Sequence, residues 1–240
     1  MRRTLPGLLV FVLLYFMSVS VVYSSGLVLI NKKGEVIVKV LGITSGEKMK
    51  IVGISTLESS NGVYSNNAQV SLTLTGEDVR VDIKSADGVK TLNATDWDEE
   101  IVEIEERGDV KKISIQRQDN SFLISQGVVV AKTQFPIVID SKRGELSVIT
   151  ATGSRHILRY PQDVAETLKN TKIVSLYDNI KITERENGEL IYEVKGEKAI
   201  KILGLFNVRG NVDVDVSASS GEVLTINEPL WLKILGLIFI

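Results

Sequence analysis

Three groups of residues carry side chains that could do chemistry. Ser154 and His156 lie two apart on either side of Arg155, and a hydroxyl beside an imidazole can act as nucleophile and base. No acid sits in an obvious position to orient the ring, and a triad is recognised by geometry rather than by nearness in sequence. His156 is in phase with Leu158 and Tyr160, so it reads as a half-buried structural histidine on a strand. Asp213 and Asp215 are also two apart, and paired carboxylates can share acid–base work when one raises the pKa of the other. Val212, Val214 and Val216 take the opposite face, which makes the pair the polar side of an amphipathic strand. Asp96-Trp97-Asp98-Glu99-Glu100, with Glu103, Glu105 and Glu106 beyond, is the densest acidic stretch. Carboxylates suit a hard cation such as calcium, but no Asp-x-Asp-x-Asp-Gly loop accompanies them. A solvated strand face, with Trp97 as a packing anchor, accounts for the stretch.

Composition narrows the function further. The 240 residues contain no cysteine and one histidine, which excludes disulfides, thiolate metal sites and poly-histidine metal sites. A net charge of −2, without a basic and aromatic stripe, offers nothing to nucleic acid. Gly204 stands alone among aliphatic residues, and neither a dinucleotide nor a phosphate-loop fingerprint occurs. No catalytic residue, cofactor or metal is expected.

The elements that carry these residues are mostly strands. Leu27 to Asn31 and Glu35 to Leu41 read as a hairpin across Lys32-Lys33-Gly34, with Met49 to Thr56 as a third strand and Glu58 to Asn67 as a loop. Val70, Leu72 and Leu74, then Val79, Val81 and Ile83, alternate with polar residues on either side of Gly76-Glu77-Asp78. Further runs recur to Lys132, with turns at Asp87-Gly88, Gly108-Asp109, Asp119-Asn120 and Gln126-Gly127. Such spacing predicts an antiparallel meander, sandwich-like, with one wet face. Another hairpin crosses Ser141 to Gly144, and Thr152-Gly153 turns into Arg155 to Tyr160. Pro161 opens a helix to about Asn170, with Val164, Ala165 and Leu168 on its apolar face. Asn187-Gly188 and Ser220-Gly221 then mark two more hairpins, the first expected to be a two-residue type I′ turn.

Both ends of the chain are apolar. Arg2-Arg3 precede an uncharged run with its core from Leu5 to Tyr23, long enough to span a bilayer as a helix. The flanking charges place the body outside the cytoplasm. A signal peptide cleaved near Ser20 or Ser24 is the competing reading, and it also exports the body. Asn227-Glu228-Pro229 starts a short helix in which Lys233 is the single charge before Ile240. It is too short to cross a bilayer, so it either dips into the outer leaflet, packs on the first helix or closes the core. The expected membrane-contacting residues are Leu9, Val12, Phe16, Trp231, Ile234, Leu235 and Ile238.

The stretch from about Pro161 to Glu228 resembles a PepSY-type module. It contains a short helix, an alternating strand, a glycine hairpin, a strand with Tyr192-Glu193-Val194 and a closing pair. In that family the closing pair commonly reads Val-Asp-Ala, a small residue, Thr-Gly, then Glu-Val. Here Val216-Ser217-Ala218 and Ser220-Gly221-Glu222-Val223 occupy those positions, with Ser217 in place of the usual Asp. PepSY-type modules are associated with protease propeptides and with restraint of enzymes at the cell envelope. The resemblance therefore implies a domain that binds or inhibits a protein partner. Thr133 to Ile240 is also similar, in its order of elements, to the C-terminal region of uncharacterised membrane-anchored bacterial proteins.

The expected fold is mainly β. A transmembrane anchor or signal covers 1–25 and a β-rich extracytoplasmic region 26–118. Hairpins, a PepSY-like α+β module and the apolar tail cover 119–240. The expected function is a non-enzymatic, membrane-anchored protein that binds or regulates a protein partner at the envelope, with membrane lipid as a second contact. A structural envelope or surface protein is the alternative, and a hydrolase with an unrecognised site the third reading.

Overall fold

The computed structural model describes residues 26–39, 62–64, 67–108, 111–202 and 206–238. The expected N-terminal helix with Leu9, Val12 and Phe16, and the expected strand from Met49 to Thr56, lie outside them. The described residues form seventeen strands and two helices in two sheets.

The larger sheet has eleven strands. One side holds β1 (Val28–Ile30), β2 (Val36–Val38) and β3 (Gly62–Tyr64). The smaller sheet takes the next three strands, β4 (Gln69–Thr75), β5 (Asp78–Ser85) and β6 (Gly88–Asn93). The chain returns to the larger sheet as β7 (Glu100–Ile104), β8 (Ile113–Gln118), β9 (Ser121–Gln126) and β10 (Val129–Thr133). It crosses again for β11 (Ile137–Asp140), β12 (Glu145–Thr150) and β13 (Gly153–Ile157). After helix α1 (Pro161–Asn170), the larger sheet is completed by β14 (Leu176–Glu184), β15 (Leu190–Ile202), β16 (Phe206–Ser217) and β17 (Val223–Asn227). Helix α2 (Leu230–Ile238) follows.

Alternation builds the core. Val79, Val81 and Ile83 on β5 are buried while Arg80 and Lys84 are exposed, as a period of two requires. Inward residues of both sheets belong to one hydrophobic cluster, so the sheets share a core. Side chains such as Leu72, Ile115, Phe122 and Ile137 are fully buried there, and each stabilises by roughly 1.5–3 kcal/mol through burial. The two sheets are also tied by polar contacts. The Arg107 guanidinium donates to the carbonyls of Ser141 (2.9 Å) and Lys142 (3.1 Å), holding the β11–β12 turn against the larger sheet. The buried Tyr192 hydroxyl on β15 donates to the Arg159 carbonyl at 2.7 Å, and burial raises its pKa well above the ordinary tyrosine value.

Several expectations need correcting. Pairing is not antiparallel throughout: β1 lies parallel to β7, and β10 parallel to β14. Each parallel contact arises because the chain visits the other sheet between the two strands. The stretch after Pro161 is not a separate PepSY-like α+β module, since β14–β17 extend the eleven-stranded sheet through β10. The divide expected near Gln118 falls at the β8–β9 turn, where Gln118 pairs with Ser121. The membrane anchor with an extracytoplasmic body is not supported, because no helix among the described residues is long and apolar enough to cross a membrane.

The Asn187-Gly188 turn also differs from expectation. The Arg185 N–H donates to the Glu189 carbonyl and the Gly188 N–H to the Arg185 carbonyl, closing a three-residue loop of Glu186, Asn187 and Gly188. Only Gly188 takes a positive φ, of 79°. That is a type I turn with a glycine bulge, and Lys32-Lys33-Gly34 repeats it with Gly34 at φ 80°. Gly188→Val should destabilise the chain by roughly 1–3 kcal/mol, the cost of a β-branched residue in a left-handed backbone. The urea midpoint of the full chain checks this, and an unchanged midpoint would show that the turn tolerates a side chain.

Candidate functional site

The residues with apparent chemistry do not converge. Ser154 pairs with Ile149 across the β12–β13 ladder, while His156 faces Ser147. Ser147 Oγ lies 2.9 Å from His156 Nδ1, the only hydrogen bond of that imidazole among the described residues. Sequence reading chose the wrong serine, yet the signal was available. Ala151-Thr152 is a two-residue turn, and counting outward from it brings Ser147 opposite His156. No acid among the described residues hydrogen-bonds to the ring, so the pair there holds a hydroxyl and a ring together without the third group of a triad.

Asp213 and Asp215 are likewise separated in role. The Arg185 guanidinium donates to Asp215 at 2.7 Å, while exposed Asp213 sits across from Lys195. In the acidic stretch, Trp97 packs on the core and donates its indole N–H to the Glu100 carbonyl at 3.0 Å. Glu103 departs from the expected wet face: it is buried, with Lys112 at 3.1 Å. No group of three or more acidic or histidine side chains among the described residues could hold a metal ion.

A second cluster joins the sheets. Thr150 and Thr152 in the β12–β13 turn both donate their hydroxyls to the Glu184 carboxylate on β14, and Arg155 lies beside Thr152. The two hydroxyls hold Glu184 below the usual glutamate range. Its contribution to stability is therefore complete above the unfolded-state value of about 4.3 and is lost as pH falls through the lower folded-state value. Glu184→Gln should flatten the acid limb of a urea-midpoint-against-pH curve and leave the remainder parallel to that of the native chain. An unaltered acid limb would assign that limb to other carboxylates.

The feature that stands apart is the far end of the β15–β16 hairpin. β14 pairs with β15 only as far as Glu197, and β17 pairs with β16 only from Asp213 onward. From Lys198 opposite Gly210 to Ile202 opposite Phe206, the two strands pair with no third strand, and the Ala199 N–H donates to the Ser175 hydroxyl at 2.9 Å. A two-stranded ribbon is marginal in water, and α2 supplies its third partner. Leu232 is fully buried, and a β-carbon on Gly210 would lie 2.9 Å from the Trp231 ring. Glycine at 210 therefore lets the helix settle on the strand. The helix start is pinned by Glu228, whose carboxylate meets Lys198 at 2.8 Å, both side chains being largely buried. The Pro229 carbonyl accepts the Leu232 and Lys233 N–H groups, so proline sits just before the helix rather than in its first turn.

The opposite face of α2 is uncovered. Leu230, Trp231, Ile234, Leu237 and Ile238 fall at relative positions 0, 1, 4, 7 and 8, which aligns them in one stripe. They are 44–78 % exposed, Leu235 is half-buried, and Phe206 at the end of the arm is 64 % exposed. Ile234 and Ile238 thus form an outward apolar face together, Trp231 joins it only in part because its ring also lies over Gly210, and half-buried Leu235 does not fully join it. Asn187, Gly188 and Gly221 lie in hairpin turns, away from this surface in the fold. No family model, characterised protein or solved structure matches the chain.

Proposed function

We propose that the chain is a non-enzymatic binding protein whose outward α2 stripe docks into an apolar groove of a protein partner. The stripe carries the reading. A helix that buries one face on its own arm and leaves Leu230, Ile234, Leu237 and Ile238 mostly in water on the other keeps a surface of the kind that marks an interaction site. Positions 0, 4 and 7 are the anchors by which a helix fills a groove, and a partly exposed tryptophan suits the centre of such a contact. The two β-sheets then serve as the rigid base from which arm and helix project.

Photo-cross-linking tests this in cells that make the protein natively. A benzophenone amino acid at Leu237 should give one discrete heavier adduct, and the same probe at exposed Val89 on β6 should not. Adducts of equal yield at both positions, or none at Leu237, would contradict a docking role. An adduct of twice the chain mass would indicate self-assembly, the structural alternative. Flotation of the purified chain with phospholipid vesicles, lost when α2 is made polar, would indicate lipid as the occupant.

A further inference from the structure

A cleft of about 520 Å³ lies beside α2, between that helix, the arm and the end of α1, with Leu237 at the border between the cleft and the outward stripe. Its volume falls in the range of small-ligand sites. Ile173, Ala199, Ile200, Gly236 and Leu237 make its wall largely apolar. Four lysines, Lys172, Lys198, Lys201 and Lys233, stand around it against one carboxylate, Glu228. Glu228 is already matched by Lys198. Lys172, Lys201 and Lys233 are exposed, and their ammonium groups take part in no ion pair or hydrogen bond among the described residues.

Lys172 adds an independent observation. Helix α1 ends with the Ile173 N–H donating to the Leu168 carbonyl and the Lys172 N–H to the Lys169 carbonyl. This closing motif puts residue 172 in the left-handed region, at φ 57°, where glycine is the residue that costs least. The position instead holds a lysine at the mouth of the cleft, and backbone strain kept at a site points to a role for the side chain.

We infer that this cleft binds an anionic amphiphile, with a carboxylate or phosphate head among Lys172, Lys201 and Lys233 and an apolar chain along Ile173, Ile200 and Leu237. The head replaces the missing counter-charges, and the chain covers the apolar wall. Each ammonium–anion contact is a charge-assisted hydrogen bond, and its strength falls as salt rises.

Calorimetric titration of the full chain with dodecanoate and with dodecyl phosphate tests both head groups, with dodecanol, acetate and inorganic phosphate as controls. One or both amphiphiles should bind, dodecanol should bind roughly tenfold more weakly, and the tailless anions should not compete. Lys172→Gly should raise the melting midpoint by roughly 2–4 °C, the shift expected for relieving one strained residue in a chain of this size. The same variant should weaken amphiphile binding severalfold, whereas Lys84→Ala on the remote β5 should change neither quantity. Equal binding of dodecanol and dodecanoate, competition by acetate, or undiminished affinity in both Lys172→Gly and Lys233→Ala would overturn the inference. The higher melting point shows that any loss in Lys172→Gly does not come from unfolding.

Discussion

Gly196→Ala is expected to lower the stability of the chain by about 3 kcal/mol, which for a domain of this size moves the melting midpoint down by roughly 6–12 °C. Gly196 sits on β15 where β14 is bulged between Tyr177 and Asn179. A β-carbon there would overlap the Leu176 carbonyl oxygen and lie 2.9 Å from Val174 Cγ1 and 3.0 Å from Tyr177 Cα. Two of those three atoms belong to the backbone, so no change of rotamer relieves the clash. The strand must shift at the point where the free arm leaves the sheet. The cause differs from that at Gly188, whose backbone is left-handed while its nearest neighbours are the flexible side chains of Arg155 and Thr152. Urea unfolding of the full chain measures the effect. A midpoint within error of the native value would mean that β14 does not approach β15 as closely as described.

The second large effect concerns binding. Ile234→Asp combined with Leu237→Asp should abolish cross-linking from a probe at Leu230 and weaken the purified complex by roughly thirtyfold or more, the loss of at least one hot-spot contact. Stability should stay within about 0.5 kcal/mol of the native chain, because both side chains are mostly in water already. Leu232→Asp gives the contrast. Its side chain is fully buried between helix and arm, so that change should detach α2 and lower stability as well. If Ile234→Asp with Leu237→Asp destabilised the fold as much as Leu232→Asp, the outward stripe would be core rather than contact surface.

Local pattern carried much of this fold. The alternation of Val79, Val81 and Ile83 shows a strand with one buried face, and Pro161 with Val164, Ala165 and Leu168 shows the helix and its inward side. Glycines at 34, 144, 188 and 221 mark turns whose positive φ excludes most side chains. Pairings across long stretches of chain were not readable, because nothing in Val28–Ile30 or Lys132 specifies a parallel neighbour. The free arm was hidden for a similar reason: it exists because β14 and β17 are shorter than β15 and β16, a property of four strands together. Glu103 looked solvated among its acidic neighbours, and only the fold shows it buried beside Lys112. The apolar character of the last helix was plain from its composition. Which side it would bury depended on Gly210, more than twenty residues upstream, where the absence of a side chain admits Trp231.

Amide hydrogen exchange of the full chain, alone and with the partner identified by cross-linking, tests the docking reading most directly. Binding through the α2 stripe predicts slower exchange across 230–238 and the supporting arm at 198–202, with little change in β4 to β6. Protection confined to the exposed edge at Gly88–Asn93, or to the hairpin turns around Asn187 and Gly221, with unchanged exchange in α2, would contradict it.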